Sequence, residues 1–434
     1  MTGSVDVSPE RQLAAGILSE VETGRRLDMA WDASDAPAAE NRAWLRTLVY
    51  GTLRLRGRLD SLVAHFAKRP VDELDPPVRL ALRLGVFQIL YMRSVPAYAA
   101  VSESVALVKS GRSRGASGLV NAVLRRVTEV QNVEEFYPDP ASDLVGYLST
   151  WGSHPEWLVR RWIGRFGPEA TRRLVHENNE EPDVFLNPLG SGTAAALAAL
   201  TAAGLEAAVA EGTKMIRLGR RVDPRRALDV APGVIQDPAA AWVVDYAAPP
   251  KGALVADLCA APGGKAVALS ASARAVLASD LSERRMGRLV ESARRTQGTV
   301  WPVVADACRP PIARANLVFV DVPCTGTGTL KRHPDARWRV VPGDVERLAA
   351  VQLGILDGAA AVVPRDGLLV YATCTLEDEE NVAQVNAFLD RNTDFRIEAG
   401  PVPKALLDEL GRLVILPQES GFDGAFAARL RRVG

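Results

Sequence analysis

Val255-Ala256-Asp257-Leu258-Cys259-Ala260-Ala261-Pro262-Gly263-Gly264-Lys265 reads as a short apolar strand that runs into a glycine turn and straight on into a helix. Paired glycines let backbone N–H groups come close to a ligand, and a helix start adds partial positive charge suited to a carboxylate or phosphate. Working outward, apolar strand candidates recur at 253–256, 275–278, 300–304, 317–320 and 368–371, with helical patterns between them. That rhythm predicts a doubly wound parallel sheet, an α/β Rossmann-like domain. A Walker A loop would need glycine where Cys259 stands, and Gly-x-Gly-x-x-Gly does not occur here, which excludes a P-loop ATPase and a standard dinucleotide enzyme.

The second strand ends in Ser279-Asp280, whose carboxylate can accept from two ribose hydroxyls, and the third ends near Asp306, placed to meet an adenine amine. Any one aspartate is equally well a helix cap. Acids at successive strand ends together suit an adenosyl ligand. The fourth strand runs into Asp321-Val322-Pro323-Cys324-Thr325-Gly326-Thr327-Gly328, and the last into Ala372-Thr373-Cys374-Thr375. Both thiols therefore fall on the sheet edge that carries the cofactor turn. Carbon-5 of a pyrimidine is not nucleophilic until a thiolate adds at carbon-6, and the carbon-5 proton must later leave so that the sulfur is eliminated. Two cysteines fit two steps, and chemistry alone leaves open which sulfur attacks. Cys308 reads as a small hydrophobe, and so largely does Cys259.

From residue 11 to about 130 the apolar positions recur at helical spacing, and Asp75-Pro76-Pro77 and Val95-Pro96 punctuate separate helices. Phe136-Tyr137-Pro138-Asp139-Pro140 reads as a linker. Two further helical patterns follow around 157–166 and 169–178. Short apolar runs at 184–186, 215–218 and 228–230 then flank an alanine-rich helix at 193–203, a small α+β pattern. The expected organisation is a multidomain chain: an all-α domain over 1–137, an α+β domain over 138–245 and the α/β domain over 246–434. Lys+Arg and Asp+Glu both number 52 in 434 residues, so nucleic-acid binding must come from local patches. Four cysteines without a Cys-x-x-Cys spacing and four scattered histidines predict no metal site. The polar start and the lack of a long apolar run predict a cytoplasmic chain without a membrane span. A monomer is expected.

The segments from Asp257 to Lys265, from Asp321 to Gly328 and from Tyr371 to Thr375 together resemble the RNA cytosine-C5 methyltransferase family. The resemblance implies that the cysteine after threonine, Cys374, is the nucleophile and that the cysteine after proline, Cys324, helps product release. It further implies that Cys259, Ala260, Ala261, Pro262, Gly263, Gly264, Lys265, Asp280, Asp306 and Asp321 contact S-adenosylmethionine or the target base. Lys331-Arg332-His333-Pro334-Asp335-Ala336-Arg337-Trp338 matches a basic family segment expected to bind RNA or shape the pocket. The pieces around 41–54, 84–90, 95–101 and 120–125 are similar to transcription-antitermination factors, which within the family marks the branch that modifies 16S ribosomal RNA, naked or in a small-subunit precursor. The chain departs from the family at Val184-Phe185-Leu186-Asn187-Pro188, which lacks an arginine, and at Ala266, where Thr or Ser is common.

Arginine clusters at 54, 56 and 58, at 112 and 114, at 160 and 161, at 220 and 221 and at 225 and 226, with Trp151, Trp157 and Trp162, suggest a groove that holds phosphates and stacks bases. Two other readings compete. One is an RNA-binding assembly or antitermination factor with an inert methyltransferase domain. The other is a cytosine methyltransferase acting on transfer RNA or DNA, where for DNA the Pro-Cys sulfur would attack.

Overall fold

The computed structural model describes residues 7–109, 111, 113–189 and 192–433. The chain forms two compact units, residues 1–180 with 330–340, and residues 181–329 with 341–434.

The first unit is helical. Proline at the first turn opens the helices Pro9–Glu22 and Pro76–Tyr91, where its missing N–H costs no bond. Helices Arg42–Arg54, Arg56–Ala67, Pro76–Tyr91, Ala97–Lys109 and Ser117–Thr128 point one apolar stripe each into a common core that includes Leu45, Leu48, Leu62, Leu84 and Leu124. The expected linker is packed against this unit: the Tyr137 hydroxyl donates to the Arg58 carbonyl at 2.9 Å, and its ring meets Trp151 edge-on. Helices Glu156–Phe166 and Pro168–Asn179 follow.

Leu330–Val340 belongs to this unit although it lies far along the chain. Arg337 is fully buried and donates to the carbonyls of Arg54, Ser153, Asn178 and Leu330 and to Asn179 Oδ1, at 2.7–3.3 Å. The Trp338 indole donates to the Leu53 carbonyl at 2.9 Å, and Lys331 pairs with Glu177 at 3.3 Å. Burial, and next the charge of Arg54, push the Arg337 guanidinium well below its ordinary value.

The second unit holds two sheets. Strands β1 (Val184–Asn187), β2 (Ala207–Val209), β3 (Ile216–Leu218) and β4 (Val234–Ile235) form an antiparallel sheet in the order β2-β3-β1-β4, with the helix Thr193–Ala202 packed on it. The run expected as a strand at 228–230 instead ends the helix Pro224–Val230, which Asp223 caps through the Arg225 N–H.

The large sheet contains β5 (Leu254–Asp257), β6 (Ala275–Asp280), β7 (Val300–Val304), β8 (Leu317–Asp321) and β9 (Leu368–Thr373), all parallel to their neighbours in this set. Strands β10 (Phe395–Ile397), β11 (Leu413–Ile415) and β12 (Ala425–Arg432) extend it with antiparallel pairs, so the sheet is mixed rather than purely parallel. Its order is β10-β12-β9-β8-β5-β6-β7, with β11 beside β12. Alternate residues feed two cores: Val255, Phe319 and Val370 face one way, and Ala256, Val318, Leu369 and Tyr371 the other. From β5 the chain winds outward through β6 and β7, then returns to β8 on the other side. The carboxyl ends of β5 and β8 therefore flank a switch point, where such sheets bind ligands.

Candidate active site

The turn after β5 is held from below by its neighbours. The Leu258 N–H donates to the Phe319 carbonyl, and the Ala260 N–H to the Ser279 carbonyl at 2.9 Å. Gly263 has φ +111°, and a Cβ there would sit 2.7 Å from the Leu289 backbone, so only glycine fits. A Cβ on Gly264 would meet nothing nearer than Gln236 Oε1 at 3.6 Å, which leaves the turn open for a ligand to approach. The first N–H groups of the helix Gly264–Ser270 have no acceptor within their helix.

Asp257, at the end of β5, is 1% exposed; its Oδ1 accepts the Cys259 N–H, and Oδ2 has no hydrogen-bond partner among the described residues. Burial, and then the charge of Asp321, push its carboxyl up to about 8. Asp280 braces the turn, accepting the Ala261 N–H at 3.2 Å and the Ser282 N–H at 2.9 Å, with Arg285 3.7 Å away. Leu281, directly after it, is 73% exposed. Asp306, just past β7, is exposed and caps the Cys308 N–H at 2.9 Å. Burial and the Asp257 charge drive the Cys259 thiol far up, and burial and Asp306 raise Cys308, so neither supplies a ready thiolate.

Strands β8 and β9 lie side by side with Asp321 opposite Ala372, which carries both following loops to the same place. There Cys324 Sγ and Cys374 Sγ are 3.5 Å apart. The Gly328 N–H donates to the Cys374 carbonyl at 3.0 Å, and the Gly424 N–H to the Gly328 carbonyl at 2.7 Å. A Cβ on Gly328 would approach both that carbonyl oxygen and the Gly424 Cα at 2.8 Å, so the loops meet glycine to backbone. Lys265 Nζ donates to Asp321 Oδ2 at 2.7 Å. Burial lowers the Lys265 ammonium, but the charge and hydrogen bond of Asp321, and next Cys374, outweigh it and hold the amine charged. The contact with Cys374 and burial raise the Cys324 thiol well above its ordinary value.

All of the expected site residues thus lie at or just beyond strand ends of one sheet edge. Sequence reading passed over Leu281, whose signal is its place after Asp280, and over Glu380 and Asn381, buried within the acidic run that follows Cys374. The arginines and tryptophans expected to contact RNA differ in exposure. Arg54 and Trp162 are buried, and Arg58 stacks on Trp151 at 3.7 Å and donates to its carbonyl. Arg112 lies outside the described residues, whereas Arg220, Arg221, Arg225 and Arg226 are exposed. Lys331 pairs with Glu177, and Arg337 donates to Asn179, both within the helical unit. Among the described residues no group of three metal-ligating side chains is assembled, and no helix is long and apolar enough to cross a membrane.

Three family models match the chain: 16S rRNA methyltransferase RsmB/F over residues 245–431, the NusB family over 8–129, and an RsmF/B-like ferredoxin-like domain over 154–224. Ribosomal RNA small subunit methyltransferase B of Thermus thermophilus is 36% identical over 427 residues, covering 98% of each chain. The probable ribosomal RNA small subunit methyltransferase B of Bacillus subtilis is 32% identical and covers 91% of each. Among solved structures, PH0851 matches with TM-score 0.79 at 23% identity, covering 98% of this chain and 99% of that one. NSun6 from Pyrococcus horikoshii, solved with the S-adenosylmethionine analogue SFG, matches with TM-score 0.55 at 16% identity, over 64% of this chain and 98% of its own.

Proposed function

Because the chain belongs to the RsmB/F family of 16S rRNA methyltransferases, we propose that it methylates carbon-5 of a cytosine in small-subunit ribosomal RNA through a covalent adduct on Cys374. The observation that carries this reading is the pair of sulfurs 3.5 Å apart beside the Lys265–Asp321 ion pair and the glycine turn.

The residues fit S-adenosylmethionine. The open backbone at Gly263 and Gly264 suits its carboxylate, the unpartnered Asp257 Oδ2 its ammonium, Asp280 its ribose, and Asp306 and Leu281 its adenine. When bound, it supplies an electrophilic methyl group. Cys374 attacks carbon-6 as the thiolate, and the electron pair of the 5,6-bond makes carbon-5 the nucleophile that accepts the methyl. The Lys265 ammonium lies within electrostatic reach of Cys374. A base then takes the carbon-5 proton, the 5,6-bond re-forms, and the Cys374 sulfur leaves. Cys324 carries its proton at neutral pH, which suits it to assist that departure and not to attack.

The test is transfer of labelled methyl from S-adenosylmethionine to separated small-subunit RNA, large-subunit RNA and transfer RNA, followed by nucleoside analysis. Label in 5-methylcytidine from small-subunit RNA is expected. Label in transfer RNA moves the substrate but keeps the chemistry, and no label from folded protein on RNA or subunits favours a binding factor.

A further inference from the structure

A single dipeptide grips both cysteine loops. Glu380 is fully buried. Its Oε1 accepts the Thr325 N–H and the Gln352 amide, each at 2.9 Å, and its Oε2 accepts the hydroxyls of Thr325 at 2.5 Å and Thr375 at 2.9 Å. Gln352 in turn donates to the Pro323 carbonyl at 3.0 Å. Cys324 is therefore held through both chain neighbours, Pro323 and Thr325. Asn381 does the same for Cys374: its Oδ1 accepts the Thr373 hydroxyl at 2.5 Å, and its Nδ2 donates to the Thr375 carbonyl at 3.0 Å. The Tyr371 hydroxyl, donating to the Glu380 carbonyl at 2.6 Å, pins the dipeptide to β9.

We propose that Glu380 and Asn381 are positioning residues that set the distance and aim of the two sulfurs, Asn381 for the attack by Cys374 and Glu380 for the release assisted by Cys324. Neither touches the reacting atoms; each acts through threonines next to a cysteine. A buried carboxylate that took only a structural part would need no such division, since four donors could come from any one loop. Here the carboxylate takes three of its four donors on the Cys324 side and one from Thr375, while the carboxamide bonds only beside Cys374, where the two sulfurs meet at 3.5 Å.

The proposal rests on the cytosine-C5 reading and divides the reaction into two measurable steps, formation and breakdown of a denaturant-resistant protein–RNA adduct in rapid-quench experiments with small-subunit RNA. Asn381→Ala is expected to slow adduct formation on the order of tenfold or more, because small misplacements of reacting groups cost rates of that size. Glu380→Ala, which removes three bonds on the Cys324 side and one at Thr375, is expected to slow breakdown more than formation, so the adduct accumulates. Asn381→Asp and Glu380→Gln, which keep size and one acceptor oxygen, are expected to show the same split with smaller factors, and they carry the test where alanine prevents folding. Loss of both steps together in each variant, or no change in either, overturns the proposal. Wild-type protein that forms neither adduct nor 5-methylcytidine sinks the cytosine-C5 reading and this proposal with it, whereas a working wild type with unaltered variants sinks the proposal alone.

Discussion

Cys324 and Cys374 are chemically the same residue, and their surroundings differ. Both are half-buried; Cys374 lies within the electrostatic reach of a charged Lys265, while the contact with Cys374, and next burial, raise the Cys324 thiol well above its ordinary value. Cys374→Ala should therefore abolish methyl transfer, and Cys324→Ala should leave attack intact and trap a protein–RNA band that survives a denaturing gel. A Cys374→Ala protein with full activity would reverse the assignment. Asp257 offers a pH test of the same pocket. Its carboxyl is raised from 3.8 to about 8, first by burial and then by Asp321, so the folded protein binds a proton there that the unfolded chain has lost. A group of this kind costs nothing below about pH 4 and costs more as pH rises, up to its folded value near 8. In melts of the cofactor-free protein, Asp257→Asn should gain stability relative to wild type between pH 5 and pH 9. Equal differences at both pH values would mean that the proton is not held. The two cysteines were legible in sequence because each follows an apolar strand, whereas Asp257 was read only as the start of the motif that leads into the glycine turn. Which sulfur attacks was not legible from the residues themselves, since the two differ only in the neighbours that the fold brings to them, Lys265 near Cys374 among these.

Where a strand is continuous, apolar and followed by a turn, element reading succeeds, because a strand covered on both faces must be apolar throughout. Strands β5 to β9 stand where the apolar runs predict them, give or take two residues at the ends. Strands β10 to β12 were missed: β12 carries Arg429, Arg431 and Arg432 in its pattern, and nothing local shows that Glu398 takes the first two of these charges. Those bonds, Arg431 first, hold the Glu398 carboxyl down to about 2. The run at 228–230 failed for the opposite reason, because a capping aspartate and Pro224 start a helix that overrides a short apolar stretch. The glycine turn belongs to this scale as well. Gly263 brings the turn after β5 against the helix Glu283–Thr296, with no room for a Cβ beside Leu289. Gly263→Ala should push the turn away from that helix and strain its positive φ, weakening S-adenosylmethionine binding on the order of tenfold or more for about 1–2 kcal/mol of backbone strain. Gly264→Ala, with nothing nearer than 3.6 Å, should fold normally and lose affinity only by narrowing the approach of the ligand. Calorimetric titration of both variants separates the two effects, and equal, unchanged affinities would mean that the turn does not hold the cofactor.

Across the whole chain, 52 basic and 52 acidic side chains cancel, so affinity for RNA depends on which arginines the fold leaves exposed. Sequence reading treated all of the clusters as equivalent. The structure separates them, because Arg337 caps carbonyls from residues more than 150 positions away and Arg54 bonds to Lys331. Contacts of that span leave no local trace, and a basic segment that builds a helical unit looks in sequence like one that binds phosphate. The arginines at 220, 221, 225 and 226 remain exposed, next to the small antiparallel sheet and in the same unit as the two cysteines. If they hold phosphates, small-subunit RNA should bind with log affinity falling linearly against log salt, and each lost contact should lower that slope by about 1 or somewhat less. Arg221→Gln with Arg225→Gln should then weaken binding, reduce the salt slope by up to about 2 and leave S-adenosylmethionine affinity unchanged. Filter binding between about 50 and 200 mM salt resolves such a change, since that interval alone shifts the affinity of a six- to ten-contact complex by about 10³–10⁵. A double variant that keeps the wild-type slope would show that these arginines lie away from the RNA path, and the phosphate contacts would then have to come from the helical unit.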